Sequence, residues 1–249
     1  MVKKVVIAAA GKGVRMLHLT KNKSKHLIKV CQKPFLTYLL DNLFKAGYKE
    51  IILIVGYKGE KIKEFLEEYN HNGYKIKVID QFDTLEKGEY GTLCPLKCVK
   101  NIIKENFLMV YGDNLYSAKD LKSFDIDDKY NYVAGFIHQH PEKYGVFISN
   151  NGFLKEIIEK PEKYVGNLIN TGLYKFTPEI FDKISQISKS SRGEYEITDA
   201  ITLLAKEKKV KIKKIQDYWF DFGNPGDILK ISKFLKGDES SNFSTNKSR

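Results

Sequence analysis

Continuous apolar runs alternate with amphipathic helical stretches through the first 115 residues, and this alternation constrains the fold more than any other feature of the chain. The sequence predicts strands over residues 4–10, 50–56, 74–79 and 107–111, and helices over 34–47, 59–69 and 92–103. Apolar runs of this kind are typical of parallel strands covered on both faces. Strands alternating with helices imply right-handed crossovers. We therefore predict an α/β, Rossmann-like fold with a mostly parallel central sheet and helices on both faces.

The pattern changes after residue 116, where short strands follow one another with tight turns. Strands are predicted over residues 132–138, 145–149, 154–159, 169–176 and 210–215, and helices over 196–206 and 225–235. We expect one domain over residues 1–236, with this second part as a β-rich insertion. Residues 237–249 are too polar to offset their ordering entropy, so they are predicted to be a disordered tail.

Charge and cysteine content exclude several classes of protein. The net charge is +11, yet the 42 basic and 31 acidic residues are interspersed, without the basic stripe and interleaved aromatics of a nucleic-acid binder. Three cysteines are too few for a disulfide framework. No apolar run approaches the length of a membrane span. We expect a cytoplasmic protein that binds neither nucleic acid nor membrane.

Small residues and glycines follow the first predicted strand. This segment consists of Ala9, Ala10, Gly11, Lys12, Gly13, Val14 and Arg15. Such a turn lets backbone N–H groups approach phosphate oxygens, and an arginine adds a bidentate cation. It lacks the ending of a P-loop and the third glycine of a dinucleotide fingerprint. Gly112-Asp113 ends another predicted strand, and ligands of open parallel sheets bind at those strand ends. By itself, the turn is equally compatible with a plain connection between a strand and a helix.

Several motifs in order resemble those of the sugar-1-phosphate nucleotidyltransferases. The N-terminal ones are Gly11-x-Gly13-x-Arg15, Leu19-Thr20, Ser24-Lys25 and Lys33-Pro34. Those downstream are Gly112-Asp113, Tyr144-Gly145-Val146, Glu159-Lys160-Pro161, Asn170-Thr171-Gly172, Glu194-x-Glu196-Ile197-Thr198-Asp199 and Trp219-x-Asp221-x-Gly223. The resemblance covers the chain to about residue 235. It implies transfer of a nucleotide from a nucleoside triphosphate to a sugar 1-phosphate, with release of pyrophosphate.

The resemblance also implies roles for individual residues. Arg15 would hold the pyrophosphate end, Lys25 would neutralise the reacting phosphates, and Asp113 and Asp221 would hold Mg²⁺. Nucleotide contacts are implied for Ala9, Ala10, Gly11, Lys12, Gly13, Val14, Gln81, Gly91 and Thr92, in a nucleotide-binding half of about residues 1–115. Sugar-phosphate contacts are implied for Tyr144, Gly145, Glu159, Lys160, Asn170 and Thr171, in a half of about residues 116–236.

Each of these assignments has a plainer alternative. Lys25 lies among other lysines and could be a solvated side chain, Asp113 and Asp221 could cap or pair structurally, and Glu159-Lys160 could be a surface ion pair. Residues 82–90 separate Gln81 from Gly91 more widely than in the family, which leaves base recognition open. Val14, His18, Gly166 and Asn224 also depart from the family pattern and leave the particular base and sugar undecided.

The alternative functions are a CTP- or GTP-using relative acting on another sugar phosphate or phosphocholine, and a non-catalytic nucleotide-binding module. UTP or dTTP with glucose 1-phosphate is preferred. The polar tail leads us to expect no acyltransferase β-helix like that of bifunctional relatives. Family members are often multimeric, so a homo-oligomer is compatible with the sequence.

Overall fold

The computed structural model describes residues 1–69 and 73–237. The strands are β1 Lys4–Ala9, β2 Lys29–Val30, β3 Lys33–Pro34, β4 Glu50–Val55, β5 Lys75–Asp80, β6 Phe107–Tyr111, β7 Asn114–Tyr116, β8 Asn131–Ile137, β9 Gly145–Asn150, β10 Phe153–Glu159, β11 Leu168–Phe176, β12 Val210–Lys214 and β13 Trp219–Asp221. The α-helices are α1 Phe35–Lys45, α2 Gly59–Glu68, α3 Gln81–Thr84, α4 Cys94–Val99, α5 Ala118–Ser123, α6 Ile180–Ile184, α7 Ile197–Lys206 and α8 Gly226–Leu235. Short 3-10 helices cover Val14–Thr20, Lys25–Leu27 and Pro141–Lys143.

A nine-stranded sheet in the order β5-β4-β1-β6-β11-β8-β12-β10-β9 runs through the molecule. The strands β5, β4, β1 and β6 are mutually parallel, as the βα repetition predicts. Beyond β6 the pairing is mixed: β8 and β12 are parallel, whereas β11, β10 and β9 pair antiparallel with their neighbours. The predicted α/β class is confirmed. The predicted β-rich part extends the same sheet, with antiparallel strands where short turns replace crossover helices.

Two apolar cores lie on opposite faces of this sheet. Alternate residues of β1 belong to different cores, since Val5 and Ile7 pack on one face and Val6 on the other. The helices α1, α2 and α5 contribute to the first core through Leu36, Ile62 and Leu121, among others. Side chains of α4, α6 and α7 fill the second core. Helices therefore cover both faces, as the unbroken apolar strands require.

A third, smaller apolar cluster packs beside the sheet. It contains Met16, Ile28, Val30, Phe35, Leu115, Phe220, Phe222 and Ile231. The rings of Phe35 and Phe222 stack with their centroids 4.3 Å apart. This cluster fixes the segment after the glycine turn, the β7–β13 pair and α8 against one another. It thereby positions Arg15 and Asp221, whose neighbours in sequence it buries.

The short elements β2, β3, β7, β13, α3, α5 and α6 were not predicted from the sequence. Each predicted helix or strand lies within a few residues of an observed one, with one exception. The helix predicted over residues 92–103 is confined to α4, because the segment before it is hydrogen-bonded to residues 195–197 and Pro95 lies in the first helical turn. The strands β7 and β13 could not be predicted, because each has only three residues and a segment this short shows no periodicity. The prediction for the tail beyond Gly237 lies outside the described residues. No helix within the described ranges is long and apolar enough to span a membrane.

Candidate active site

A cavity of about 460 Å³ opens where β1 and β6 end. Among the residues singled out from the sequence, its walls contain Ala10, Gly11, Arg15, Lys25, Gln81, Gly91, Thr92, Asp113, Tyr144, Gly145, Glu159, Lys160, Asn170, Thr171 and Asp221. Ala9, Lys12, Gly13 and Val14 lie beside the cavity rather than in its walls. The cavity thus gathers residues from both ends of the chain at the edge of the sheet where a parallel arrangement predicts a ligand.

The glycine turn packs directly against Lys25. Gly13 has a φ of 62° in the left-handed region, and a Cβ added there would lie 3.0 Å from the Cβ of Lys25. Thr20 closes the turn by donating from its hydroxyl to the carbonyl oxygen of Gly13 over 3.2 Å. Ala9 is buried at the end of β1, whereas Val14 is 73% exposed. A side chain at position 13 would displace Lys25 from the cavity wall.

Lys25 and Asp113 form an ion pair in the cavity wall. Burial by itself would raise the pKa of the Asp113 carboxyl, but the Lys25 charge, the neighbouring His26 and hydrogen bonds from Lys25 and the backbone together hold the pKa below its ordinary value. Asp113 is therefore a carboxylate at neutral pH. It also fixes the cation of Lys25 beside the glycine turn.

Asp221 is brought to Asp113 by the β7–β13 pair. Asp221 lies opposite Asn114 in that pairing, and the backbone N–H of Phe222 donates to the carbonyl oxygen of Asp113 over 2.8 Å. Burial, and then the charge of Asp113, raise the pKa of Asp221 to about 7, although Arg15 and Lys25 partly offset the shift. Two carboxyl groups therefore share a desolvated place in which both are charged only at some electrostatic cost.

This pair of acids fits a hard divalent cation. Carboxylate oxygens are the ligands that Mg²⁺ prefers, and Mg²⁺ commonly takes only one or two of them and completes its shell with water and phosphate oxygens. Within residues 1–69 and 73–237, no group of three His, Cys, Asp or Glu side chains forms a complete metal cage. Two carboxylates beside an open cavity would leave the other positions of such an ion to water and phosphate oxygens.

His26 is a further residue of the cavity wall, beside Lys25. Its ring is buried, its Nδ1 lies 2.7 Å from the hydroxyl oxygen of Ser24, and a Cβ on Gly112 would lie 3.0 Å from its Cδ2. Burial and the neighbouring Lys25 lower the pKa of His26 to about 3. The imidazole is therefore neutral and acts as packing and a hydrogen-bond partner.

The opposite wall carries Glu159, Lys160, Tyr144 and Gly145. Gly145 pairs with Glu159 across the β9–β10 hairpin, and a Cβ on Gly145 would lie 3.0 Å from Oε2 of Glu159. Burial raises the pKa of Glu159 above its ordinary value. Lys160 has a φ of 45° immediately before Pro161, a backbone conformation that costs free energy and is concentrated at functional sites.

Asn170 and Thr171 contribute differently to that wall. The side-chain oxygen of Asn170 accepts from the backbone N–H of Gly172, and its amide donates to the Tyr174 hydroxyl over 2.8 Å. The Thr171 hydroxyl already donates to the carbonyl oxygen of Ala134 over 3.0 Å. Both side chains are thus held by the strands β8 and β11 rather than free to turn.

The residues proposed for base contact lie at one end of the cavity. Gln81 begins α3 and is 3% exposed, while Gly91 and Thr92 precede α4. Gly91 has a φ of 131° and lies against the backbone of Tyr195. Of residues 82–90, only Tyr90 lines the cavity.

Sequence reasoning missed several cavity residues. Arg192 and Glu196 lie in the wall and are joined by an ion pair of 2.9 Å. Trp219 also lines the cavity and donates from Nε1 to the side-chain oxygen of Asn114 over 2.9 Å. The signal for Glu196 and Trp219 was present, since both belong to the quoted motifs, but no role followed from the motifs alone. Arg192 has no such signal, because it lies in a loop before the motif.

The fold and the site together define an α/β protein with cationic side chains and two carboxyl groups around one cavity at the ends of its parallel strands. A family model described as nucleotidyl transferase matches residues 4–237. The chain belongs to the nucleotidyl transferase family, which confirms the resemblance and the enzyme class predicted from its motifs.

The curated relatives agree with that assignment. The chain is 39% identical to the bifunctional protein GlmU of Methanocaldococcus jannaschii, over 92% of this chain and 53% of the relative. It is 34% identical to the UTP–glucose-1-phosphate uridylyltransferase AglF of Haloferax volcanii, over 89% of this chain and 92% of the relative. The chain spans about half the length of GlmU, and about half that of another curated relative, a bifunctional sugar-1-phosphate nucleotidylyltransferase/acetyltransferase of Sulfurisphaera tokodaii.

Solved structures share the fold. A structure named as a putative glucose-1-phosphate thymidylyltransferase from Bacillus anthracis superposes with a TM-score of 0.82 at 23% identity, over 95% of this chain and 96% of the other. A UDP-glucose pyrophosphorylase in complex with UDP-glucose superposes with a TM-score of 0.80, also at 23% identity, over 96% of this chain and 100% of the other.

Proposed function

We propose that this chain condenses a nucleoside triphosphate with a hexose 1-phosphate, giving a nucleotide sugar and pyrophosphate in a Mg²⁺-dependent reaction. UTP or dTTP is the preferred nucleotide and glucose 1-phosphate the preferred sugar phosphate. The observation that carries the proposal is that Arg15, Lys25, Asp113 and Asp221, from four separate segments, line one cavity. The names of AglF and of the solved pyrophosphorylase support the choice of substrates.

The proposed reaction needs no general base in the protein. A phosphate oxygen of the sugar phosphate, already ionised near neutral pH, attacks the α-phosphorus. The new P–O bond forms as the bond between the α-phosphorus and the oxygen bridging to the β-phosphorus breaks, and pyrophosphate leaves with that electron pair. The obstacle is repulsion between two polyanions, so positioning and charge stabilisation supply the catalysis.

Two cations of this chain answer that requirement. Arg15 is proposed to bind the pyrophosphate end, since its fork of N–H donors matches phosphate oxygens. Lys25 is proposed to neutralise the reacting phosphates from its place between the glycine turn and Asp113. Because Lys25 is held from both sides, it needs little reordering when the substrates arrive.

Asp113 and Asp221 are proposed to hold Mg²⁺, which would neutralise phosphate charge when bound. Their hard oxygen donors suit this ion. The repulsion that raises the pKa of Asp221 is the kind that a divalent cation removes.

The substrates are proposed to lie on either side of these acids. The nucleotide would contact the turn of residues 9–14 with Gln81, Gly91 and Thr92, in a half of about residues 1–115. The sugar phosphate would contact Tyr144, Gly145, Glu159, Lys160, Asn170 and Thr171, in a half of about residues 116–236. The sheet runs continuously through both halves, so the two sites would lie on one rigid support.

A substrate panel tests the proposal. The purified chain with Mg²⁺ is offered UTP, dTTP, CTP and GTP, each with glucose 1-phosphate, N-acetylglucosamine 1-phosphate and phosphocholine, and pyrophosphate release is measured. We expect turnover with UTP or dTTP and a hexose 1-phosphate. Turnover of CTP with phosphocholine alone would replace the proposed substrates. Nucleotide binding without pyrophosphate in any pair would identify a non-catalytic module.

Lys25 and the nearby Lys21 provide a variant and its matched control. Lys25→Met is expected to lower pyrophosphate release by about 10²–10³-fold, the usual effect of removing one charge-stabilising group. Lys21→Met removes a solvent-exposed lysine four positions earlier and is expected to retain turnover. Equal activity of the two variants would contradict the role proposed for Lys25.

A further inference from the structure

A hydrogen-bonded seam joins residues 90–93 to residues 195–197, across more than a hundred positions of sequence. The N–H of Tyr195 donates to the carbonyl oxygen of Tyr90 over 2.8 Å, and the N–H of Leu93 donates to that of Tyr195 over 3.0 Å. The N–H of Ile197 donates to the hydroxyl oxygen of Thr92 over 2.9 Å. The seam fixes the two segments against each other at the edge of the cavity.

Gly91 makes this seam unusually close. A Cβ on Gly91 would lie 2.3 Å from the carbonyl oxygen and 2.5 Å from the nitrogen of Tyr195, both backbone atoms. Its φ of 131° is also reserved in practice for glycine. The seam therefore has little freedom to open or slide.

Glu196 extends the seam into the cavity through its side chain. The residue is 7% exposed and both carboxylate oxygens are engaged. Oε2 accepts from the Thr92 hydroxyl over 3.2 Å, while Oε1 accepts from Nη2 of Arg192 over 2.9 Å and from the Ser190 hydroxyl over 3.2 Å. One buried carboxylate thus ties a residue of the proposed nucleotide end to an arginine.

Arg192 also lines the cavity, together with Glu159 and Lys160 of the proposed sugar-phosphate site. Its charge acts on the Glu159 carboxyl. Its side chain is 47% exposed, so without Glu196 the guanidinium would sample many rotamers. The ion pair with Glu196 restricts the guanidinium within reach of the charge of Glu159.

We infer that Glu196 is a positioning residue that couples the two substrates: a nucleotide that fixes Thr92 also aims Arg192 at the sugar phosphate. This inference rests on the proposed function. The Arg192 side chain is 47% exposed and Glu196 is its one ion-pair partner in the described part of the chain, so it keeps freedom that a bound nucleotide would remove through Thr92 and Glu196. Binding of the nucleotide would thus remove part of the ordering cost of the sugar phosphate, which is positive cooperativity without a large movement. By linkage, each substrate tightens the other by the same factor.

Binding measurements test the coupling directly. The affinity for glucose 1-phosphate is measured by calorimetry with Mg²⁺ present, with and without saturating α,β-methylene-UTP. In this analogue a methylene group replaces the oxygen between the α- and β-phosphorus, so the bond that breaks in the reaction is absent. We expect the analogue to tighten glucose 1-phosphate about tenfold or more in the wild type, and less than about threefold in Glu196→Gln. Glu194→Gln is the matched control, since it removes a carboxylate of the same wall that forms no hydrogen bond to Arg192 or Thr92 in the described part of the chain. It is expected to keep the wild-type factor.

A second pair of variants covers the case in which Glu196→Gln does not fold, as judged by the loss of a cooperative melting transition. Thr92→Val removes the hydroxyl that joins the seam to Glu196 and is expected to lose the coupling, whereas Thr92→Ser restores the hydroxyl and the coupling. A wild type with no coupling, or variants that all keep it, would overturn the inference.

Pyrophosphate release by the wild type separates the two proposals. If the wild type releases pyrophosphate and Glu196→Gln keeps the coupling, only the role of Glu196 fails. If no substrate pair releases pyrophosphate, the proposed function fails and the inference fails with it.

Discussion

The backbone N–H of Phe222 donates a hydrogen bond of 2.8 Å to the carbonyl oxygen of Asp113, and this contact sets Asp221 beside Asp113. Phe222 is held in turn by its stack on Phe35 in the third apolar cluster. A small apolar cluster therefore maintains two carboxyl groups in a place where they repel each other. Such an arrangement trades stability for function.

Replacing Asp221 by Asn tests whether the repulsion between the two carboxyl groups lowers the stability of the fold. The pKa of Asp221 in the folded protein, about 7, is raised above its ordinary value of 3.8, so the folded state binds the proton more tightly than the unfolded state does. Stability is therefore lost as the pH rises from about 4 to 7. Without divalent metal, we expect Asp221→Asn to be more stable than the wild type, and its advantage to be about 1–2 kcal/mol larger at pH 8 than at pH 5.5. Urea unfolding at the two pH values measures it.

The control for this prediction is Asp182→Asn, which removes an exposed carboxylate on α6. Its effect on stability should not change between the two pH values by more than a few tenths of a kcal/mol. An advantage of Asp221→Asn that is equal at pH 5.5 and pH 8 would show that the carboxyl group is not strained.

For His26 we expect the opposite pH dependence, a loss of folding stability as the pH falls. Its pKa in the folded protein, about 3, is lowered from 6.5, so the unfolded state takes up a proton that the folded state refuses. Stability that is present at pH 7 is lost as the pH falls below 6.5. Between pH 7 and pH 5.5 the wild type should lose about 1 kcal/mol more than His26→Asn, whose amide can replace the contact with Ser24. The exposed His18, changed to Asn, provides the comparison, and a loss shared by both variants and the wild type would exclude His26 as its source.

Much of the fold could be predicted from the chain because its signals are local. The unbroken apolar runs that became β1, β4 and β6 report burial on both faces, and the periodicity of α1 and α7 reports one buried face. The order of β11 and β12 in the sheet could not be predicted, because it depends on which distant strands pair and no local pattern encodes that choice.

The same difference between local patterns and long-range contacts separates the site residues that could be predicted from those that could not. Arg15, Lys25, Asp113 and Asp221 belong to motifs, and the structure brings all four to one cavity. Arg192 lies in a loop without periodicity, and its position in the cavity depends on the ion pair with Glu196. A contact of this kind becomes visible only when the two segments of the seam are seen together. The functional roles of all these residues remain predictions.

Gly91 should be intolerant of even one methyl group. Gly91→Ala would force a Cβ to within 2.3 Å of the backbone of Tyr195, at a φ that alanine avoids. We expect a loss of about 1–3 kcal/mol in stability and a raised KM for the nucleotide, because the base end of the cavity would open. Gly88→Ala is the matched variant, since Gly88 also has a positive φ but nothing lies within 4 Å of its added Cβ. Equal melting temperatures for the two variants would show that the seam is loose.

The indole of Trp219 packs against the rings of Phe136 and Tyr144 and is connected through Asn114 to Asp113. Its Nε1 donates to the Asn114 side-chain oxygen over 2.9 Å, and the Asn114 amide lies 3.4 Å from Oδ1 of Asp113. Trp219→Phe keeps a ring against Tyr144 and Phe136 but removes the donor and leaves the Asn114 oxygen unpaired in a buried place. We expect a loss of about 1–3 kcal/mol in stability. A double-mutant cycle with Asn114→Ala separates this bond from packing, because the second change should cost less once the indole is gone. Strict additivity, within about 0.3 kcal/mol, would mean that the indole serves only as packing and that its bond to Asn114 contributes no stability.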